Sequence, residues 1–220
     1  MPFEDIPSDP SLADPLPNEP FGLMQRWLDE AQASSRRNPH AMSVATVDGS
    51  GRPSSRMVLC RGFNADPGYV VFYTNRQSPK GDDLNKQPYA AAVFHWDDQQ
   101  RQIRLRGPVG LSPESESDAY FSARHRMAQI AAWASDQSVA VASRKELLAA
   151  LAEREGEFGT TGALVPRPAH WGGYRIFIEQ IELWVGAEGR AHDRAQWQRT
   201  LRREADEYVG GSWLLNRLQP

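Results

Sequence analysis

The stretch Ala41–Arg61, AMSVATVDGSGRPSSRMVLCR, decides the fold. Ala41 to Val47 reads as a strand, and Ser54 to Arg61 reads as the strand that returns beside it. Between them, Asp48-Gly49-Ser50-Gly51 is a hairpin turn, because its glycines accept the positive φ angles that tight turns require. Tyr69–Thr74, Tyr89–Trp96 and Gln102–Leu111 follow as further strands, with one short helix, Ser78–Asn85, among them. Strand-turn-strand order this dense predicts antiparallel pairing rather than the alternation of a parallel α/β sheet. The expected class is therefore mainly β with flanking helices (α+β), an antiparallel barrel.

Outside that core the chain reads as follows. Met1–Glu19 holds five prolines, five acidic residues and no Lys or Arg, the composition of an irregular, flexible acidic arm. Residues 20–220 form a single domain. A helix follows the arm, with Phe21, Met24, Trp27, Leu28 and Ala31 on one apolar face. Ser112-Pro113 starts a helix, with Ser as N-cap and Pro at its first position. Another helix covers Met127–Ala134. Ser143-Arg144-Lys145-Glu146 is a capping box that opens a helix through Leu147, Leu148 and Leu151. A Pro/Gly-rich connection, Gly159–Gly173, leads to one long strand, Tyr174–Trp184. His192–Thr200 and Ser212–Leu218 are two more strands, and Arg199–Glu207 reads as a solvated loop or short helical turn.

Composition narrows the function. The chain has 220 residues, 40% of them hydrophobic, with a formal net charge of −3, so it lacks the basic excess of a general nucleic-acid binder. No apolar run reaches the ~20 residues of a membrane helix, and the acidic start is unlike a signal peptide. With Cys60 as the single cysteine, no intrachain disulfide is possible, and the expected location is the cytoplasm. Gly49-Ser50-Gly51 sits in a hairpin and lacks the dinucleotide-binding spacing. There is no Walker A sequence, no Gly-x-Ser-x-Gly elbow and no metal-ligand spacing among the five histidines.

What remains is a set of cationic and amide-bearing segments. Beyond Trp184 the chain turns and presents Arg190, His192 and Arg194 at period two, one face if the segment is a strand. Like charges on one face repel unless an anion sits there, although for this segment alone a charged edge strand that blocks aggregation is the simpler explanation. Upstream lie Arg56–Arg61, Tyr73-Thr74-Asn75, Ser78-Pro79-Lys80-Gly81, Arg101-Gln102-Ile103, Tyr120–Arg124 and Trp133–Ser138.

In order and spacing, these blocks resemble the pyridoxine/pyridoxamine 5′-phosphate oxidase family from about Phe21 to Pro220. The resemblance implies an FMN-binding split β-barrel and a homodimer with FMN at the subunit interface. It implies oxidation of pyridoxine or pyridoxamine 5′-phosphate to pyridoxal 5′-phosphate, with O2 as acceptor and hydrogen peroxide as product. The positions that match the family's cofactor residues are Arg56, Met57, Val58, Leu59, Cys60, Arg61, Tyr73, Thr74, Lys80, Gln102, Gln137, Ser138, Trp184 and Arg194. Those that match its substrate residues are Arg61, Tyr120, Arg124, Arg190 and His192, with Arg190 and His192 nearest the chemistry. The residue types suit these ligands, since a phosphate takes Arg and Lys and a flavin edge takes amides. The sequence departs from the family at four points. Arg61 replaces a Lys, and Pro79 replaces a basic residue. Ala128 replaces a Ser, at a cost of about 1 kcal/mol of phosphate binding. Ala191 replaces a larger aliphatic residue. Two alternatives stand beside this reading: a related split-barrel FMN oxidase of phenazine-pathway type, and a non-catalytic module that binds FMN or pyridoxal phosphate.

Overall fold

Asp48 closes the first hairpin. Its carboxylate accepts hydrogen bonds from the backbone N–H groups of Ser50 and Arg52 at 2.8 and 3.0 Å, and Gly51 takes φ +84°. The turn sets strands β1 (Ala41–Val47) and β2 (Pro53–Leu59) in antiparallel register, with Val44 opposite Arg56. In a computed structural model of the chain, which describes residues 11–34, 36–159, 164–205 and 207–220, this hairpin is one end of a ten-stranded sheet.

The remaining strands are β3 (Gly62–Asn64), β4 (Tyr69–Asn75), β5 (Tyr89–Trp96), β6 (Arg101–Leu111), β7 (Trp171–Phe177), β8 (Gln180–Val185), β9 (Asp193–Gln198), β10 (Leu201–Glu204), β11 (Glu207–Gly210) and β12 (Leu214–Leu218). The main path runs β12-β9-β8-β6-β5-β1-β2, and β7, β4 and β3 continue from the far end of β6. Every pairing is antiparallel. The helices are α1 (Phe21–Ala33), α2 (Pro79–Lys86), α3 (Glu114–Ser122), α4 (Arg126–Ala134) and α5 (Arg144–Phe158). The sheet curls into a split barrel, and the expected α+β class holds.

Strict alternation builds the barrel core. Met42, Val44, Ala92, Phe94, Ile103, Leu105, Ile181 and Leu183 are buried on the inner face, and α1 covers it with Met24, Trp27, Leu28 and Ala31. Strand β7 is buried along its whole length, because one face meets this core and the other meets α3 and α4. There Phe121, Ile130, Val165 and Trp171 form a second, smaller core.

Several expectations need correction. The long strand Tyr174–Trp184 is two strands. Leu105 pairs with Ile181, but Val109 pairs with Ile176, so one extra residue has entered at Ile178–Glu179, the mark of a β-bulge. Gly107 faces this point, and a Cβ there would overlap the carbonyl oxygen of Phe177. Arg199–Glu207 is neither loop nor helical turn, since Leu201–Glu204 pairs with Glu207–Gly210 as a hairpin. Helix α3 begins at Glu114 with Pro113 in the cap position. Ser112 is not the cap: among the described residues its Oγ, the atom that would accept a helical N–H, has no hydrogen-bond partner. The Ser143 half of the capping box forms, with Ser143 Oγ accepting from Glu146 N–H at 3.2 Å. Part of the arm, residues 1–10, lies outside the described residues, as do Ser35 and residues 160–163 of the Pro/Gly connection. The arm's other residues are pinned: Leu12 is buried, its N–H donates to Asp193 at 2.9 Å, and Trp197 Nε1 donates to the carbonyl of Pro17 at 2.9 Å. Cys60 follows β2, where burial pushes its thiol up to about 11.

Candidate active site

A cleft of about 780 Å³ opens between β2 and the α3–α4 layer. Its first wall is β2 itself. This strand ends the main sheet path and pairs with β1 alone, so its other edge offers unpaired N–H and C=O groups to whatever occupies the cleft. Arg56, Met57, Val58 and Leu59 line this wall. Arg56 is held from behind, donating to Thr46 Oγ1 at 2.6 Å and to Ser54 Oγ at 3.0 Å. Thr46 in turn donates to Asp83 at 2.6 Å.

The floor is Lys80, on the first turn of α2. It is 7% exposed, and its ammonium donates to Gln137 Oε1 at 2.7 Å, Ser78 Oγ at 2.9 Å and Thr74 Oγ1 at 3.2 Å. All three acceptors are neutral. Among the described residues no carboxylate pairs with it, which is an expensive state for a buried cation. Burial, with the charge of Arg56 as a lesser cause, holds Lys80 down to about 8. Gln137 also accepts from Thr74 Oγ1 at 2.9 Å, which leaves its amide NH2 free to donate. Beside it, Ser138 holds φ +72°, a conformation that non-glycine residues seldom keep without purpose.

The second wall is aromatic. Tyr73, Tyr120 and Trp171 stack nearly parallel, with Tyr73 4.2 Å from Tyr120 and 5.4 Å from Trp171 between ring centroids. Two guanidinium groups flank the stack: Arg61 lies 5.8 Å from the Tyr120 ring and Arg124 4.8 Å from Trp171. Among the described residues, one terminal nitrogen of Arg124 is buried without a hydrogen-bond partner. Burial lowers the Arg124 pKa, and Arg61 adds to the effect. Two cations facing one cavity, one with an unspent donor, form an anion receptor. Ala128 lies on the same lining, where its methyl donates nothing.

The sequence-matched residues thus divide. Arg56, Met57, Val58, Leu59, Arg61, Tyr73, Thr74, Lys80, Tyr120, Arg124, Gln137 and Ser138 share the cleft. Cys60, Gln102, Trp184, Arg190, His192 and Arg194 do not line it. Apart from Cys60, these gather on the outer face of the sheet and the turn beside it. Gln102 pairs with Trp184 and Trp184 with Arg194, so the three form one row across β6, β8 and β9. Strands β8 and β2 are four ladder steps apart, roughly 19 Å along the sheet. Sequence reading also overlooked two residues. Trp171 completes the aromatic wall, and its place beside two glycines in a Pro/Gly connection gave no local signal. Glu182 lies on the same outer face, in the neighbouring row with Arg104 and Gln196.

The expected single strand face of Arg190, His192 and Arg194 does not form. Strand β9 starts at Asp193, and Glu188–Arg190 is a turn of 3₁₀ helix in which Gly189 has φ +63°. Arg190 is exposed at the tip. His192 folds back instead, its ring 4.8 Å from that of Trp184. His192 Nδ1 accepts the N–H of Ala187 at 3.2 Å, so the ring proton sits on Nε2.

Comparison with known proteins places this geometry. The family model described as pyridoxamine 5′-phosphate oxidase matches residues 28–156. A model of the pyridoxine 5′-phosphate oxidase C-terminal dimerisation region matches residues 171–220. A pyridoxine/pyridoxamine 5′-phosphate oxidase of Caulobacter vibrioides is 45% identical over 202 residues, which is 92% of this chain and 85% of the relative. One of Azorhizobium caulinodans is 47% identical over 182 residues, 83% of this chain and 84% of the relative. Among solved structures, PhzG of Burkholderia lata, in complex with tetrahydrophenazine-1-carboxylic acid, superposes with a TM-score of 0.80 at 30% identity, covering 94% of this chain and 95% of that one.

Proposed function

The chain belongs to the pyridoxamine 5′-phosphate oxidase family, and we propose that its cleft performs that chemistry with FMN: pyridoxine or pyridoxamine 5′-phosphate is oxidised to pyridoxal 5′-phosphate, and O2 becomes hydrogen peroxide. The residues present fit the cofactor. Lys80 is a buried ammonium with neutral partners only, so a phosphate would supply the charge it lacks. The open edge of β2 and the free amide of Gln137 suit the polar rim of a flat ring. FMN, when bound, supplies the two-electron acceptor and its reoxidation by oxygen.

The protein's own part is orientation and charge. Arg61 and Arg124 hold the substrate's phosphate, the one observation that carries the substrate assignment being the unspent donor of Arg124. Tyr120 walls the pyridine ring. His192, with its proton on Nε2, donates to a ring substituent, and Arg190 adds a cation there. No strong base is required of any side chain.

Gln102, Trp184 and Arg194 do not line the cleft that Lys80 floors, which supports a site completed by a second copy. The protein is a homodimer through its dimerisation region, which contains Trp184, Arg190, His192 and Arg194. In our reading the partner copy lays those residues over the cleft, and FMN is held between the two subunits.

The test is direct. The purified protein should be yellow, and pyridoxine 5′-phosphate with O2 should yield peroxide and pyridoxal 5′-phosphate in equal amounts. Ala128 on the cleft wall and the likeness to PhzG favour a second reading, an FMN oxidase of a tetrahydrophenazine acid. A yellow protein silent on both B6 phosphates but active on that acid would establish it. A protein that takes up no FMN would overturn both.

A further inference from the structure

Glu182 is 3% exposed, although its side chain belongs to the outer face of the sheet. It sits in mid-β8, opposite Arg104 of β6 and diagonal to Arg194 of β9. Its two oxygens are divided between these cations. Oε2 accepts from an Arg104 terminal nitrogen at 3.0 Å, and Oε1 accepts from Arg194 Nε at 3.0 Å and is ion-paired with an Arg194 terminal nitrogen at 3.0 Å. The other terminal nitrogen of Arg194 donates to the carbonyl of Gln219 at 2.8 Å. Two of the five N–H donors on Arg194 are therefore spent within the chain, the ion pair holds the other terminal nitrogen beside Glu182, and the orientation of the remaining donors is set before any ligand arrives.

We propose that Glu182 is the positioning residue for Arg194 and acts on FMN only through it. An arginine side chain has many rotamers of similar energy. Without Glu182, Arg194 and Arg104 repel each other across the sheet and swing outward. With it, the cost of ordering the guanidinium is met during folding, so the affinity of the preorganised donor for its ligand is higher. The inference rests on the reading that Arg194 contacts FMN, and the test separates the two.

Apoprotein variants are titrated with FMN, and the dissociation constant is read from quenching of flavin fluorescence. Dimer content and unfolding midpoint are checked for each variant. Arg194→Ala should weaken binding at least tenfold, and Glu182→Ala by about tenfold, the effect expected for a lost charged hydrogen bond. In the double variant the Glu182 substitution should add less than about twofold, because its effect runs through a side chain already gone. Glu182→Gln keeps the shape and one acceptor, so it should fall between wild type and Glu182→Ala. It carries the same cycle if Glu182→Ala does not fold. Binding unchanged in both Glu182 variants, or a full Glu182 penalty added to that of Arg194→Ala, would overturn the proposal alone. Unchanged binding in Arg194→Ala would overturn the assignment of Arg194, and the proposal with it.

Discussion

Lys80 shows how burial sets chemistry at the residue scale. Its pKa in the folded chain is about 8, against 10.5 for a free lysine. Between those values the unfolded chain holds a proton that the folded chain has released. The stability of the apoprotein therefore rises with pH through that window, and the penalty for burying the cation is complete only below about 8. Phosphate binding needs the charged form, so the dissociation constant for FMN should rise above pH ~8. Lys80→Met should bind FMN more weakly at neutral pH and lose both pH dependences, as titration and denaturant melts at several pH values will show. Arg124→Ala removes a charge-assisted contact of about 1.5–3 kcal/mol. It should raise KM for the phosphorylated substrate roughly ten- to hundredfold, with kcat and flavin content little changed. Both side chains were legible in the sequence as cations in matched blocks. Their isolation from carboxylates was not, because it depends on what the fold leaves out of reach. Gln137 was legible as well, but not its bond to Lys80, which is 57 residues away.

At the scale of elements, the first turn and one helix start follow from local chemistry, whereas the start at Ser112 and the break within a strand do not. The Asp48 turn and the Ser143 cap each depend on a side chain bonding to backbone a few residues on. The bulge at Ile178–Glu179 depends on Gly107, about 70 residues earlier, which no local pattern records. Gly107→Ala should force the Phe177 carbonyl aside and cost on the order of 2–4 kcal/mol, read as a lower denaturant midpoint. The arm belongs here too. Its proline-rich composition predicts irregular backbone, but Leu12 is buried and Pro17 accepts from Trp197. Among the described residues, removing residues 1–17 deletes the buried Leu12, the partly buried Leu16 and that hydrogen bond, so it should cost about 2–4 kcal/mol. Because Leu12 also donates to Asp193, next to Arg194, the truncation should weaken FMN binding as well. A truncated protein as stable as the full chain would show that the arm's contacts contribute nothing.

The whole molecule decides where the site is. Arg194 does not line the cleft that Lys80 floors, and the homodimer reading brings the two together between two chains. Lys80→Met and Arg194→Ala homodimers should each be impaired. Unfolded together and refolded as a mixture, half the dimers become heterodimers with one intact site each. The mixture should then recover about a quarter of wild-type activity, whereas sites built within single chains would recover none. The sequence by itself determined the antiparallel class, because turn glycines and strand spacing are local. It also determined the inventory of cations, amides and aromatics, because residue types carry their chemistry wherever they stand. Only the tertiary structure decided how that inventory divides. The sheet order puts β2 at an edge and β8 four ladder steps away. Burial leaves Lys80 and Arg124 with unmet charge, and the β8–β9 ladder sets Glu182 against Arg194. Each of these depends on residues far apart in the chain, whose proximity is fixed by strand order rather than by spacing.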